Sequence, residues 1–550
     1  MAASEKTSNQ SKTRTAPPQP RPAPTELRAE ARRPRVFMPT VQTTLPPPAL
    51  AKGSLCTRRR LRTGPPPLWK TGPGTLSIRR APLSRPPEAA RCLVPAAPRI
   101  LGVGQVTEAL ARQPREEPPG LHLTFVAGAL TTALVAGFSF GTLLALARTG
   151  AWGLGDRWAA LAQAHGHAQL AGWAGLFVMG MAYRLAPRFA GAAPVPFLPG
   201  LASFGCMAAG LALRLAGQPA AGDAAGRAVL VASAALELTG TVVFAALLLP
   251  RLVPAVRQGR PFAPHLGAAT VWLVAAKALA LAWAPGAHGS PVLVPFDRQQ
   301  LLHDLELLGF VLAAVVGVSL RTVVVFFGRP LPGARLVWAL WLPLQAGVAL
   351  HAAATAWATY RPWEAAPRLA GAGYLLVGLG LLGAVLTVGP WRAPSRLREV
   401  ARAAGTLVQA ATAWLAVGGA LLASLGADAL VRGEPVPYAR LDAARHLLAV
   451  GTVTTMILGM GYLVMPAFAL ARQPGAQQRR QRWAVALALA LLPLAAVLRT
   501  AGGWLAGEGA TADHLSATAG VLAWLAVASF AVSLVGALAS AGRVPAGSRG

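Results

Sequence analysis

From residue 121 onward the chain alternates long apolar stretches with short segments rich in Pro, Gly and charge. A helix needs about 20 mostly apolar residues to cross the hydrocarbon core of a bilayer. Twelve stretches qualify: 121–148, 165–187, 196–216, 227–250, 264–284, 300–327, 335–357, 368–389, 404–425, 442–468, 482–506 and 514–541. The pattern predicts an all-α integral membrane protein, a twelve-span helical bundle whose turns are marked by the helix-breaking residues.

Charge then orients the bundle. Arg184 and Arg188, then Arg251, Arg257 and Arg260, then Arg329 and Arg335, crowd every second connection. Arg392, Arg396, Arg398 and Arg402 continue the series, followed by Arg472, Arg479, Arg480 and Arg482. The alternate connections carry Asp156, Asp223, Asp297, Glu364, Asp428, Glu434, Glu508 and Asp513. Basic loops stay on the cytoplasmic side, so both termini are expected in the cytoplasm.

Composition changes the picture at the N-terminus. Hydrophobic residues make up 54% of the chain and charged ones 13%, which excludes an ordinary soluble domain. Residues 1–120 nevertheless hold 21 of the 51 Lys+Arg and 7 of the 20 acids, among many prolines. Such a segment buries too little apolar surface to offset chain entropy. Residues 1–118 are therefore expected to be a disordered basic tail, or the product of a start codon set upstream of the true one. Residues 119–542 form the membrane domain and 543–550 a short cytoplasmic end. No apolar signal-peptide core precedes the spans, and no specific nucleic-acid partner is expected. Cys56, Cys92 and Cys206 are too scattered for a disulfide framework or a metal knuckle.

Candidate chemistry lies in the histidines. His167, Gly172, Gly180 and Phe189 share a spacing with His446, Gly451, Gly459 and Phe468. His303, Gly309, Gly317 and Phe326 repeat it with one extra residue after the His, a slip of about 100° on a regular helix. These are spans 2, 6 and 10, a repeat every four spans, which predicts three pseudo-equivalent four-helix units. Small residues also let membrane helices approach closely, which explains the glycines as packing alone. In the predicted orientation His165, His167, His303, His446 and His514 sit near the outer ends of their spans. His351 lies about 24 Å along span 7 from its inner end, in the same outer half. Imidazole is the protein's commonest ligand for haem iron and copper. His165 and His167, two residues apart, cannot face one site together; His167 keeps the repeat and is the one expected to face inward. Glu237 in span 4 and Lys277 in span 5 are the deepest ionisable side chains. They read either as a buried ion pair or as a relay at mid-membrane, and Lys277 has an outward, snorkelling alternative.

Two resemblances follow from these residues. The run from His165 and His167 through Gly172 and Trp173 to Phe177 resembles the second helix of the NnrS family. The run His446-Leu-Leu-Ala-Val-Gly451-Thr-Val-Thr-Thr-Met456-Ile-Leu-Gly459 is similar to that family's span-10 stretch. These twelve-span bacterial proteins bind haem and copper and belong to the nitric oxide response. The resemblance implies haem held by His446 with His167 or His165, copper or a second ligand at His303 and His351, and a small gas as partner. The layout also resembles subunit I of haem–copper oxidases, whose ligands lie on helices 2, 6, 7 and 10. The departures are a single His on spans 7 and 10 and Leu307 where the oxidases place a tyrosine. Asp304 and Glu306 stand one and three residues after His303, not at the offset of the glutamate in nitric oxide reductases. A complete oxygen- or nitric oxide-reducing centre is thus not expected.

The function implied is a haem-binding membrane protein that senses, handles or detoxifies nitric oxide. A twelve-span secondary transporter is the alternative, although a four-span repeat fits poorly with inverted halves. A divergent terminal oxidase or reductase is the third reading. The chain carries no CxxCH attachment motif and no phosphate-binding glycine loop.

Overall fold

The computed structural model describes residues 120–392, 399–468, 475–506 and 509–542. The tail of residues 1–118 with Cys56 and Cys92, together with Arg396, Arg398, Arg472, Glu508 and residues 543–550, lies outside them. Twelve long helices account for nearly all the described residues. They are α1 (Leu121–Arg148), α2 (157–190), α3 (Phe197–Gly217), α4 (Asp223–Arg257), α5 (Ala263–Trp283) and α6 (Phe296–Phe326). The second half comprises α7 (Ala334–Ala358), α8 (Ala366–Val388), α9 (Glu399–Arg432), α10 (438–468), α11 (Gly475–Trp504) and α12 (Ala510–Gly542). Eleven are long and apolar enough to span a bilayer by composition alone. The exception is α2, whose apolar run is interrupted by His165, Gly166, His167 and Gln169.

Three helices are interior. In α6 and α10, 78% and 89% of the most apolar stretch is buried, against 33–50% in the other nine spans of that set. The middle of α2 is buried likewise, from Leu170 through Phe177. The remaining helices pack around these in chain order: α3 on α4, α4 on α5, α7 on α8, α8 on α9, α11 on α12, and α12 back on α1. Each interior helix is thus the second of four, and the three-unit repeat is a feature of the fold. Exposed Trp152, Trp158, Trp357, Tyr360, Trp363, Tyr438 and Trp504 lie near the end where α2, α6 and α10 begin. Aromatic side chains of this kind favour the membrane–water interface.

The repeated glycines have a packing role. A Cβ on Gly172 or Gly180 would stand within 2.5 Å of Thr132 or Phe125 of α1. Gly309 and Gly317 meet Trp272 and His265 of α5 at 2.9 and 2.8 Å, and Gly451 and Gly459 meet Trp414 and Leu407 of α9 at 3.0 Å. Each unit therefore seats its interior helix on its own first helix through the same two glycines, as small residues allow in membranes. Phe189 packs edge-on to Phe262.

Candidate functional site

Each interior helix widens into a π-helical stretch of eight residues close after its histidine: Ala168–Gly175, Leu305–Leu312 and Leu447–Thr454. The Thr454 and Thr455 hydroxyls donate to the carbonyls of Ala449 and Val450, five residues back. Such turns concentrate at functional positions. They also resolve the slip in the repeat. Gly172, Gly309 and Gly451 each stand four residues into their π stretch. Counted from there, the residues in register are His167, Asp304 and His446. His303 is one residue out of register, so the third equivalent position is an aspartate.

His167 does not face a shared site with His446. Its Nε2 lies 2.7 Å from Glu237 Oε1, and Glu237 Oε2 lies 2.7 Å from Lys277 Nζ. The same ammonium reaches Glu306 Oε1 at 2.6 Å, and Ser233 Oγ donates to Glu237 at 3.2 Å. Lys277 is fully buried, so the snorkelling alternative is set aside. Arg214, also buried, lies within electrostatic reach of Glu237 and Glu306. Two cations thus offset two carboxylates, drawn from α3, α4, α5 and α6. Because an ionised carboxylate only accepts hydrogen bonds, His167 Nε2 carries a proton and has no lone pair for a metal. The repeat pointed to His167 as the ligand, but the buried carboxylate of α4 claims it.

A second ionic cluster surrounds Asp304. Arg445 grips its carboxylate with Nε at 2.8 Å and Nη2 at 2.6 Å, a two-point contact. Tyr374 donates to Oδ2 at 2.7 Å and His351 Nε2 approaches the same oxygen at 3.1 Å. His351 Nε2 is therefore protonated as well, and its Nδ1 is buried without a hydrogen-bond partner among the described residues. His303 packs against Gly166, where a Cβ would stand 2.6 Å from its Nε2, and that nitrogen accepts from Gln299 at 2.7 Å. The expected joint metal site of His303 and His351 is not formed: each Nε2 is taken by a different partner. Among the described residues no group of three or more His, Cys, Asp or Glu is arranged to hold a metal ion.

Two histidines remain differently placed. The rings of His165 and His446 lie 6.2 Å apart, centre to centre, with planes within 12°. His165 Nδ1 donates to the Gly137 carbonyl at 2.8 Å, and His446 Nδ1 to the Asp442 carbonyl at 2.9 Å. A carbonyl only accepts, so each Nδ1 holds the proton and each Nε2 keeps its lone pair. Neither Nε2 has a hydrogen-bond partner among the described residues. The pair is close enough for both imidazoles to reach one group held between α2 and α10. His165 owes its place to Gly141 of α1, where a Cβ would stand 2.6 Å from its ring.

Sequence reasoning passed over Asp442, Arg445 and Tyr374, and read Arg499 only as a buried arginine of span 11. One signal was present: Asp442 precedes His446 by four residues, one turn along the same helix face. Arg321, in turn, sits over the Phe189 ring at 5.1 Å, away from these groups.

No family model matches the chain, and no curated protein matches it. Among solved structures, a chain of a haem–copper terminal oxidase dimer, determined by cryo-electron microscopy, matches with a TM-score of 0.59 at 13% identity. The match covers 78% of this chain and 85% of that one. At such identity the likeness is one of fold. The chain is a multi-pass, all-helical membrane protein with the architecture of that oxidase chain.

Proposed function

We propose that this chain is a haem-binding membrane protein of the nitric oxide response, in which His165 of α2 and His446 of α10 would hold the haem. The observation that carries this reading is the near-parallel pair of imidazoles at 6.2 Å, each with Nδ1 bound to a carbonyl and Nε2 free of hydrogen bonds. Its place on the second and tenth helices agrees with the fold shared with a haem–copper oxidase chain. The nitric oxide part rests on the resemblance of the His165–Phe177 and His446–Gly459 runs to the NnrS family.

Haem held there would supply a one-electron couple and, with one imidazole displaced, a position for a small gas. The chain itself fixes both tautomers through the Gly137 and Asp442 carbonyls and surrounds the pair with apolar helices. Nitric oxide is small and neutral and partitions into lipid, so such a site needs no polar entry path. The arginine-rich connections support cytoplasmic termini, which puts the histidine pair toward the outer face of a bacterial inner membrane. Copper is not part of this reading, because the Nε2 atoms of His303 and His351 have separate partners, Gln299 and Asp304.

The test is the absorption spectrum of the detergent-purified protein, oxidised and dithionite-reduced, with iron and copper assayed on the same sample. A Soret band with stoichiometric iron and a spectral change on adding nitric oxide are expected. Colourless, iron-free protein from haem-replete cells would overturn the reading. That result would favour the transporter, with the Glu237–Lys277–Glu306 cluster as its working groups.

A further inference from the structure

The two imidazoles of the pair are not supported alike. His165 Nδ1 meets one neutral acceptor, the Gly137 carbonyl at 2.8 Å, at the end of the π turn Ala133–Gly137 in α1. His446 Nδ1 meets the Asp442 carbonyl at 2.9 Å and also the Asp442 carboxylate, whose Oδ1 lies 3.3 Å away. That carboxylate is in turn bound by the guanidinium of Arg499 from α11. A carboxylate behind a ligating imidazole draws on its N–H proton and strengthens the opposite nitrogen as a donor. A cation on the carboxylate weakens that pull.

We propose that Asp442 is a positioning residue that would make His446 the stronger donor of the two imidazoles toward the haem, with Arg499 setting how strongly it acts. The inference rests on the haem reading above and deepens it: the asymmetry leaves His165 as the ligand that a gas displaces. No other chain element is needed, since Asp442 and His446 are one turn apart on α10 and Arg499 reaches in from the neighbouring helix.

The experiment is a redox titration of purified wild type, Asp442→Asn and Arg499→Gln, each followed by its absorbance, with the low-spin ferric signal recorded by electron paramagnetic resonance. Asp442→Asn is expected to raise the midpoint potential, with a change of about tenfold in the oxidised-to-reduced ratio, 59 mV for one electron. Arg499→Gln is expected to lower it, and the g-anisotropy should move in opposite senses in the two variants, since it reports donor strength at the iron. A merely structural ion pair would be broken by either substitution and move both variants the same way. Equal-sign shifts, unchanged potentials, or a potential shift without a change in g values would overturn the proposal. Should Asp442→Asn fail to fold, Asp442→Glu keeps the charge and must stay near wild type. A wild type that binds no haem would sink the underlying reading itself, and is distinguishable because no titration curve exists at all.

Discussion

Two histidines, His165 and His167, sit within one turn of each other on α2 and do opposite things. His167 is closed: its Nε2 is held by Glu237, which is held by Lys277, which is held by Glu306. His165 is open: only its Nδ1 is engaged, and its ring lies parallel to that of His446. The difference teaches that burial and ionisability do not mark a ligand. What marks one here is two neighbouring imidazoles, each with its proton committed and its lone pair left over. A buried, fully paired cluster instead serves to lock four helices together.

The largest expected effect is at the open pair. His446→Ala should remove the Soret band and reduce bound iron to background, because it takes away the more strongly supported of the two imidazoles. Next comes the closed cluster. Lys277→Met leaves two carboxylates facing each other without their cation, and removing one partner of a buried pair costs about 3–5 kcal/mol. A sharp fall in yield and thermal midpoint in detergent is expected, with partial recovery in Lys277→Met/Glu306→Gln. Recovery that fails entirely would mean Lys277 has a role beyond neutralising these acids.

A smaller effect is expected at Gly166, which separates the two groups. A methyl there meets His303 Nε2 at 2.6 Å and forces that ring to move. Gly166→Ala should cost about 1–3 kcal/mol, as overpacking does, and keep the absorption spectrum. A lost spectrum would show that His303 takes part in holding the cofactor.

Much of this architecture was legible in the sequence, and the reasons are physical. Span length and arginine placement follow directly from the bilayer, so all twelve helices were foreseen, although α4 runs past its apolar run to Asp223 and Arg257. The repeat was legible because its glycines are packing contacts that each unit must make. The partners of the histidines were not. Whether His165 or His167 faces His446 depends on the π turn that begins at Ala168, and hydropathy does not report turn width. The equivalent turn in α6, Leu305–Leu312, places Asp304, not His303, in register with the other two units. Glu237 and Lys277 were paired from adjacency alone, while Glu306 entered only through the packing of α5 on α6.

The measurement that tests the central claim most directly sets His165→Ala beside His167→Ala. Both are purified in the same detergent, and oxidised and reduced spectra and iron content are recorded per mole of protein. The account predicts that His165→Ala loses the paired-imidazole spectrum, while His167→Ala retains it at lower protein stability. The reverse outcome, with His167→Ala colourless and His165→Ala unchanged, would contradict it.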